Sequence, residues 1–232
     1  MSEIKGVLFD KDGTLFDFAT TWESWAAAFL DRLTEDRASA VRLGAQIGFD
    51  YGARRFEKDS IVIAGTPGEV AQALLPAMAG YSHAQVVDLL NEEAAKAPQA
   101  EAVPLAPFLS GLIDSGLRLG VATNDAEAPA RAHLESAQII DKFDFIAGFD
   151  SGYGAKPGTG QMLGFAKAIN TDPRAIVMVG DSRHDLIAGR AAGMRCVGVL
   201  TGLAERDVLA PLADAVFDDI GFLPEWLAAL RV

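Results

Sequence analysis

The sequence predicts a doubly wound α/β protein: a Rossmann-like parallel sheet with helices on both faces, interrupted by an all-helical insertion. Three observations predict it. Short, nearly continuous apolar runs recur along the chain, the pattern of strands buried on both faces. Amphipathic stretches with helix start and stop residues separate them. From residue 18 to 98 this alternation stops, and helix signals succeed one another with no convincing buried strand.

The elements follow in order. Gly6-Val7-Leu8-Phe9 reads as the first strand, ending at Asp10. In the insertion, Thr20-x-x-Glu23 has the form of a capping box ahead of a helix from Trp25 to Leu33. Thr66-Pro67-Gly68-Glu69 combines such a box with proline at the first helical position, and Ser82-x-x-Gln85 opens another helix. Beyond it, Pro107 to Ser115 is helical and stops at Gly116. Leu117 to Ala122 is the second strand, ending at Thr123-Asn124. Ala126 to Gln138 is helical, with Pro129 tolerable only near the first turn. Phe145 to Phe149 is the third strand, ending at Asp150, and Ala175 to Val179 the fourth, ending at Gly180-Asp181. Ser182 precedes a helix from Arg183 to Ala192 that Gly193 stops, and Cys196 to Leu200 is the fifth strand. Residues 1–17 and 99–232 therefore form the α/β unit, and residues 18–98 a separate helical domain inserted into it.

Composition bounds the function. Half of the 232 residues are hydrophobic and 22% are charged, as in ordinary globular proteins. The 20 Lys+Arg against 32 Asp+Glu give a net charge of -12, and no basic stripe exists to neutralise a phosphate backbone or an anionic membrane. Nucleic-acid and membrane partners are thus excluded, and an anionic substrate would need local cations. Cys196 is the single cysteine and lies in an apolar run, so it reads as a buried small hydrophobe in a reducing compartment. No apolar stretch approaches the roughly 18 residues of a membrane span, and no signal-like run follows Met1-Ser2-Glu3-Ile4-Lys5. A cytoplasmic location is expected; nothing in the sequence sets the oligomeric state.

The polar residues share one address. Asp10, Thr123, Asp150 and Asp181 each follow the last apolar residue of a strand. In an open parallel sheet those ends lie on one edge, where ligands bind. In Asp10-Lys11-Asp12-Gly13-Thr14-Leu15, two carboxylates lie two apart, and Gly13 permits a turn or a close approach. Such a pair is either an acidic turn or a division of labour between an ionised group and an acid. Gly180-Asp181-Ser182-Arg183-His184-Asp185 places a second acidic pair one helical turn apart. Asp185 is either a charge favouring the helix N-terminus or, with Asp181 and Asp10, one of a set of hard oxygen ligands suited to Mg²⁺. His184 reads as a surface helix residue. Thr123-Asn124 suits helix capping or a phosphoryl oxygen, and Lys156, in a loop held by Pro157 and glycines, is either solvated or a point charge for phosphate.

Taken together and in this order, these motifs resemble the haloacid dehalogenase superfamily, in particular its phosphoglycolate-phosphatase-like members. Phe9-Asp10-Lys11-Asp12-Gly13-Thr14-Leu15 is similar to the family's first motif, Thr123 to the second, Lys156 to the third, and Gly180-Asp181-Ser182 with Asp185 to the fourth. The insertion falls where that family places a helical cap. The resemblance implies a Mg²⁺-dependent phosphatase acting on a small-molecule phosphate monoester. Asp10 would attack phosphorus to form an aspartyl-phosphate, and Asp12 would protonate the leaving oxygen and then activate water. Mg²⁺ would sit on Asp10, Asp12 through its backbone carbonyl, and Asp181, with Asp185 ligating directly or through water. Gly13, Thr123, Asn124 and Lys156 would surround the phosphoryl group. Two departures stand out: Lys11 replaces the apolar residue usual between the aspartates, and Gly158-Thr159-Gly160 follows Lys156-Pro157 without the second proline common in relatives.

Rival functions are kept open. A sugar-phosphate mutase would share every core motif. A non-catalytic phospho-receiver also gathers acidic residues, a threonine and a lysine at strand ends, but lacks Asp-x-Asp-Gly-Thr after its first strand. In the insertion, Arg54, Arg55 and Lys58 form a cationic cluster that is either a solvated face or a contact for a second anionic group. Trp22 and Trp25 read as packing residues before a substrate platform, and Phe16 and Phe18 as alternatives of the same kind.

Overall fold

The computed structural model describes residues 3–230; Met1, Ser2, Arg231 and Val232, which fall within the expected α/β unit, lie outside them. In chain order the elements are β1 (Gly6–Phe9), α1 (Phe18–Leu33), α2 (Arg37–Ala45), β2 (Phe49–Asp50), β3 (Arg55–Phe56), α3 (Pro67–Leu74), α4 (His83–Ala94), α5 (Leu105–Asp114), β4 (Arg118–Ala122), α6 (Glu127–Ser136), β5 (Phe145–Ala147), α7 (Gly160–Ala168), β6 (Ile176–Gly180), α8 (Arg183–Ala191), β7 (Arg195–Val199), α9 (Arg206–Leu209), β8 (Ala215–Phe217) and α10 (Leu223–Ala229).

Six of the strands form one parallel sheet in the order β5-β4-β1-β6-β7-β8. Every residue of β1 and β6 is buried, because side chains alternate between two covered faces. Val7 and Phe9 join Leu119, Val121, Val177 and Val179 in a core closed by α5 and α10. Leu8 joins Ala122, Met178 and Cys196 in a second core closed by α7 and α8. The fold is thus a doubly wound α/β core, and its order reverses at β1, where a ligand crevice is expected.

Residues of the insertion surround a third core of their own. Phe18, Trp22, Trp25 and Phe29 fall on one face of α1, with Trp25 stacked on Phe29 at 5.6 Å and Trp22 edge-on to Trp25 at 5.2 Å. Full burial of Phe29 alone contributes about 1.5–3 kcal/mol. The chain enters and leaves the insertion side by side: Phe16 pairs antiparallel with Glu101, and the Asp17 amide donates to the Ala100 carbonyl at 2.8 Å. Besides helices, the insertion carries the antiparallel β2–β3 pair.

Local signals fared unevenly. The capping boxes expected at Thr66 and Ser82 are formed, and Ser182, expected as a cap, closes a box with Asp185. The box expected at Thr20 is not: Asp17 is the cap, its carboxylate accepting from the Thr20 amide at 2.7 Å, so α1 begins at Phe18. An aspartate three residues upstream satisfied the same need one turn earlier. The third strand stops at Ala147, two residues sooner than its apolar run, because Gly148 and Phe149 turn back and the Phe149 amide donates to the Asp125 carbonyl at 3.0 Å. β8 had no clear apolar run to reveal it. No helix among the described residues is long and apolar enough to cross a membrane.

Candidate active site

The carboxyl ends of β1 and β4 deliver Asp10 and Thr123 to one crevice, and Asp181, after β6, and Asp185, in the first turn of α8, gather against Asp10. The sheet register does this: Phe9 lies between Val121 and Val179, so the residues that follow emerge together.

Carboxylate oxygens of Asp10, Asp181 and Asp185 lie within 4.8 Å of one another, all buried. The Lys156 ammonium reaches in from its loop to Asp10 Oδ1 at 2.7 Å and Asp185 Oδ1 at 2.6 Å, and donates to the Ala122 carbonyl at 2.9 Å. Burial pushes the Asp10 carboxyl up to about 7, reinforced by Asp185 and opposed by Lys156. Asp181 is raised well above the usual range by burial and then by Asp10 and Asp185. Burial alone would depress Lys156, but the two carboxylates beside it hold it above its ordinary value. With all three carboxylates ionised, one ammonium would leave two negative charges unmatched, the charge of a single divalent cation; the raised Asp10 and Asp181 express burial and that mutual repulsion. The space around Asp181 fits the same need. A side chain at Gly202 would place its Cβ 1.7 Å from Asp181 Oδ2, and one at Gly13, where φ is +76°, 2.4 Å from the same atom. Hard carboxylate oxygens in a glycine-walled cradle suit Mg²⁺.

Asp185 is positioned twice. Its Oδ2 accepts from the Ser182 amide at 2.9 Å and the Ser182 hydroxyl at 2.7 Å, completing the α8 capping box, and its Oδ1 faces Lys156. One carboxylate therefore both caps α8 and pairs with Lys156. The Asp12 carboxylate stands outside this cluster and accepts from Lys11 Nζ at 2.7 Å.

Lys11 is wholly buried, and its amine points away from Asp10 toward a second polar group. Its Nζ also donates to His133 Nδ1 at 2.9 Å, lies 3.5 Å from Asp125 Oδ2, and sits 5.6 Å from the centre of the Trp22 ring. Burial would depress this amine, but Asp12 and Asp125 outweigh it and hold it above the ordinary value. The Ala94 carbonyl can only accept, so His133 donates to it from Nε2 at 2.6 Å and leaves Nδ1 bare for Lys11. Burial and the Lys11 charge accordingly push His133 down to about 4. Asp125 is raised by burial to about 6.

Thr123 is buried, its amide donating to the Ala147 carbonyl at 2.9 Å and its Oγ1 accepting from the Asp125 amide at 3.0 Å. The Asn124 side chain spans the crevice: Nδ2 donates to the Lys156 carbonyl at 3.0 Å and to the Ala64 carbonyl of the insertion at 2.9 Å, while Oδ1 accepts from the Lys156 amide at 2.8 Å. It thereby fixes the loop that carries Lys156.

Asp150 and His184 took other places than expected, and the alternatives left open in the insertion are decided. Asp150 is exposed and caps the Glu127 amide at 2.9 Å, because its strand ended early. His184 is half-buried and lines the crevice instead of the surface. Arg54, Arg55 and Lys58 are exposed and line no part of the crevice; Arg54 lies over the Tyr51 ring and Lys58 pairs with Glu205 at 2.6 Å. Phe16 is core, whereas Phe18, Trp22 and Trp25 both pack and line the crevice. Sequence reasoning missed Asp125 and His133. Asp125 directly follows Thr123-Asn124, and His133 shares the buried stripe of Pro129, Ala130 and Leu134, a lone histidine on an apolar face.

The chain is similar to known proteins over most of its length. A family model for haloacid dehalogenase-like hydrolases matches residues 4–193. Phosphoglycolate phosphatase of Neisseria meningitidis is 31% identical, over 97% of this chain and 93% of its own. Phosphoglycolate phosphatase of Rhodospirillum rubrum is 35% identical over a stretch of 52% of this chain, so the match spans half of that relative. A solved structure of a predicted phosphoglycolate phosphatase from Haemophilus somnus superposes with a TM-score of 0.74 at 19% identity, over 97% of this chain and 99% of that one.

Proposed function

The chain belongs to the haloacid dehalogenase-like hydrolases, and we propose that it is a phosphatase hydrolysing a small-molecule phosphate monoester through an aspartyl-phosphate on Asp10. The observation that carries the proposal is the meeting of Asp10, Asp181, Asp185 and Lys156 beneath one crevice, with two negative charges unmatched once all three carboxylates ionise. Asp10, the Asp12 backbone carbonyl, Asp181 and Asp185 would hold Mg²⁺, which when bound supplies positive charge to the phosphoryl oxygens.

Asp10 attacks phosphorus as the bond to the leaving oxygen breaks, and Asp12 gives that oxygen its proton. Asp12 then takes a proton from water, whose oxygen attacks phosphorus and releases inorganic phosphate, restoring Asp10. Lys156 and Thr123 hold the phosphoryl oxygens, Gly13 leaves room for the close approach, and Asn124 keeps the Lys156 loop in place. Residues 18–98 act as the cap and residues 1–17 and 99–232 as the catalytic unit. The contacts from Asn124 to the Ala64 carbonyl and from His133 to the Ala94 carbonyl support that division, since each joins the two across the crevice. The net charge of -12 supports a small ester over a nucleic acid as partner, and the one cysteine, Cys196, is free and buried, which suits the cytoplasm.

The test is hydrolysis of para-nitrophenyl phosphate with and without Mg²⁺. Activity is expected only with the metal, and Asp10→Asn should lose at least about 10³-fold in kcat. An Asp10→Asn protein that keeps its activity overturns the nucleophile, and conversion of a sugar phosphate to its positional isomer without release of inorganic phosphate overturns hydrolysis in favour of a mutase.

A further inference from the structure

We infer that the leaving group is an uncharged alcohol with an aromatic or branched aliphatic body, and not a phosphorylated carboxylic acid such as phosphoglycolate. The inference rests on the phosphatase proposal and concerns which ester that site takes.

The crevice, counted together with the open solvent at its mouth, spans about 640 Å³, of which about 60 Å³ admits the centre of a water-sized sphere. Its floor is the polar cluster already described. Its opposite wall, from the insertion, is Phe18, Trp22, Trp25, Ile63, Val70 and Leu90. Lys156 is the single Lys or Arg among the described residues that line it, and its ammonium is already shared between Asp10 and Asp185. The insertion's arginines and lysine that a second anionic group would need, Arg54, Arg55 and Lys58, lie outside the lining. A substrate carboxylate would therefore leave water for an apolar wall with no cation to receive it, and would stand near Asp10 and Asp12. Both effects oppose its binding. A ring or branched alkyl group instead exchanges water for contact with the apolar wall of Trp22, Trp25, Ile63 and Val70, the usual composition of a small-molecule pocket.

The experiment compares benzyl phosphate with 2-phosphoglycolate on the full chain with Mg²⁺. Both release an unactivated alcohol, so leaving-group acidity does not favour the ring. kcat/KM is expected to be at least about tenfold higher for benzyl phosphate. Ile63→Ala, a mild truncation of the wall, should raise KM for benzyl phosphate several-fold and leave 2-phosphoglycolate within about twofold. Trp22→Ala should act the same way and Trp22→Phe should restore most of the loss. Equal or better use of 2-phosphoglycolate overturns the inference while leaving the phosphatase intact, as does an equal loss for both esters in Ile63→Ala. Failure to hydrolyse either ester together with para-nitrophenyl phosphate overturns the phosphatase proposal itself.

Discussion

Lys11 shows how much one side chain can commit a site to. It is fully enclosed, with carboxylates of Asp12 and Asp125 beside it. Lys11→Met keeps the stem and deletes the charge, leaving both acids in low dielectric without a counterion. Urea unfolding should show a loss of about 3 kcal/mol. His133 answers to pH. Its folded value of about 4 lies below the ordinary 6.5, so across that window the unfolded chain takes up a proton that the fold refuses. Its contribution is complete above the upper limit and falls as pH drops toward the lower, by about 3 kcal/mol over the full span. Asp10 and Asp125, both raised, pull the other way, but they do so in wild type and variant alike. The Tm advantage of wild type over His133→Gln should therefore shrink between pH 7 and pH 4.5; a constant difference would contradict the neutral, buried histidine. Cys196, whose thiol burial pushes up to about 12, should resist a thiol reagent in the native protein and react once the chain is unfolded. The motif residues could be read from the sequence because each is marked by its neighbours. The partners of Lys11 could not, since Asp125 and His133 are brought to it by the sheet and α6, not by spacing.

Elements were legible where their signals were local. Thr66 and Ser82 each close a box over three residues, Ser182 caps as its place before Arg183 suggests, and each helix begins where that signal predicts. Thr20-x-x-Glu23 has the same form and failed, because Asp17 offers a competing cap that the pattern alone does not rank. β8 was invisible: it has three half-buried residues between Asp214 and Asp218, and only its pairing with β7 makes it a strand. The stop after α8 supports a clean measurement. Gly193 has φ of +84° and no atom that an added Cβ would meet within 4 Å. Gly193→Ala should cost about 1 kcal/mol from backbone conformation alone, read as a shift in the unfolding midpoint with an unchanged m-value.

At the scale of the whole molecule, the alternation of apolar runs was enough to give the sheet, its two covered faces and the edge on which the acids meet. It did not give the crevice wall, whose residues come from several helices of the insertion and acquire a common direction only after folding. The unmatched charge of the acidic cluster also has a global readout. Mg²⁺ that binds only the native state should raise Tm, with a gain of about 2.7 kcal/mol at a hundred times Kd. Thermal melts with Mg²⁺ and with a chelator should differ for wild type and coincide for Asp181→Asn; a Mg²⁺ shift that survives the substitution would place the metal elsewhere.

The strand order has a consequence for synthesis. β1 stands near the middle of the sheet, but it precedes both of its neighbours in the chain, which begin at Arg118 and Ile176. At roughly 5–20 residues per second, a ribosome holds Gly6-Val7-Leu8-Phe9 with both edges unpaired for many seconds. The helices of the insertion emerge in that interval and can gather their own core first. Nascent chains arrested before Ile176 should therefore depend on a chaperone to stay dispersed, and chains arrested beyond Val199, with β4, β6 and β7 all made, should depend on it far less.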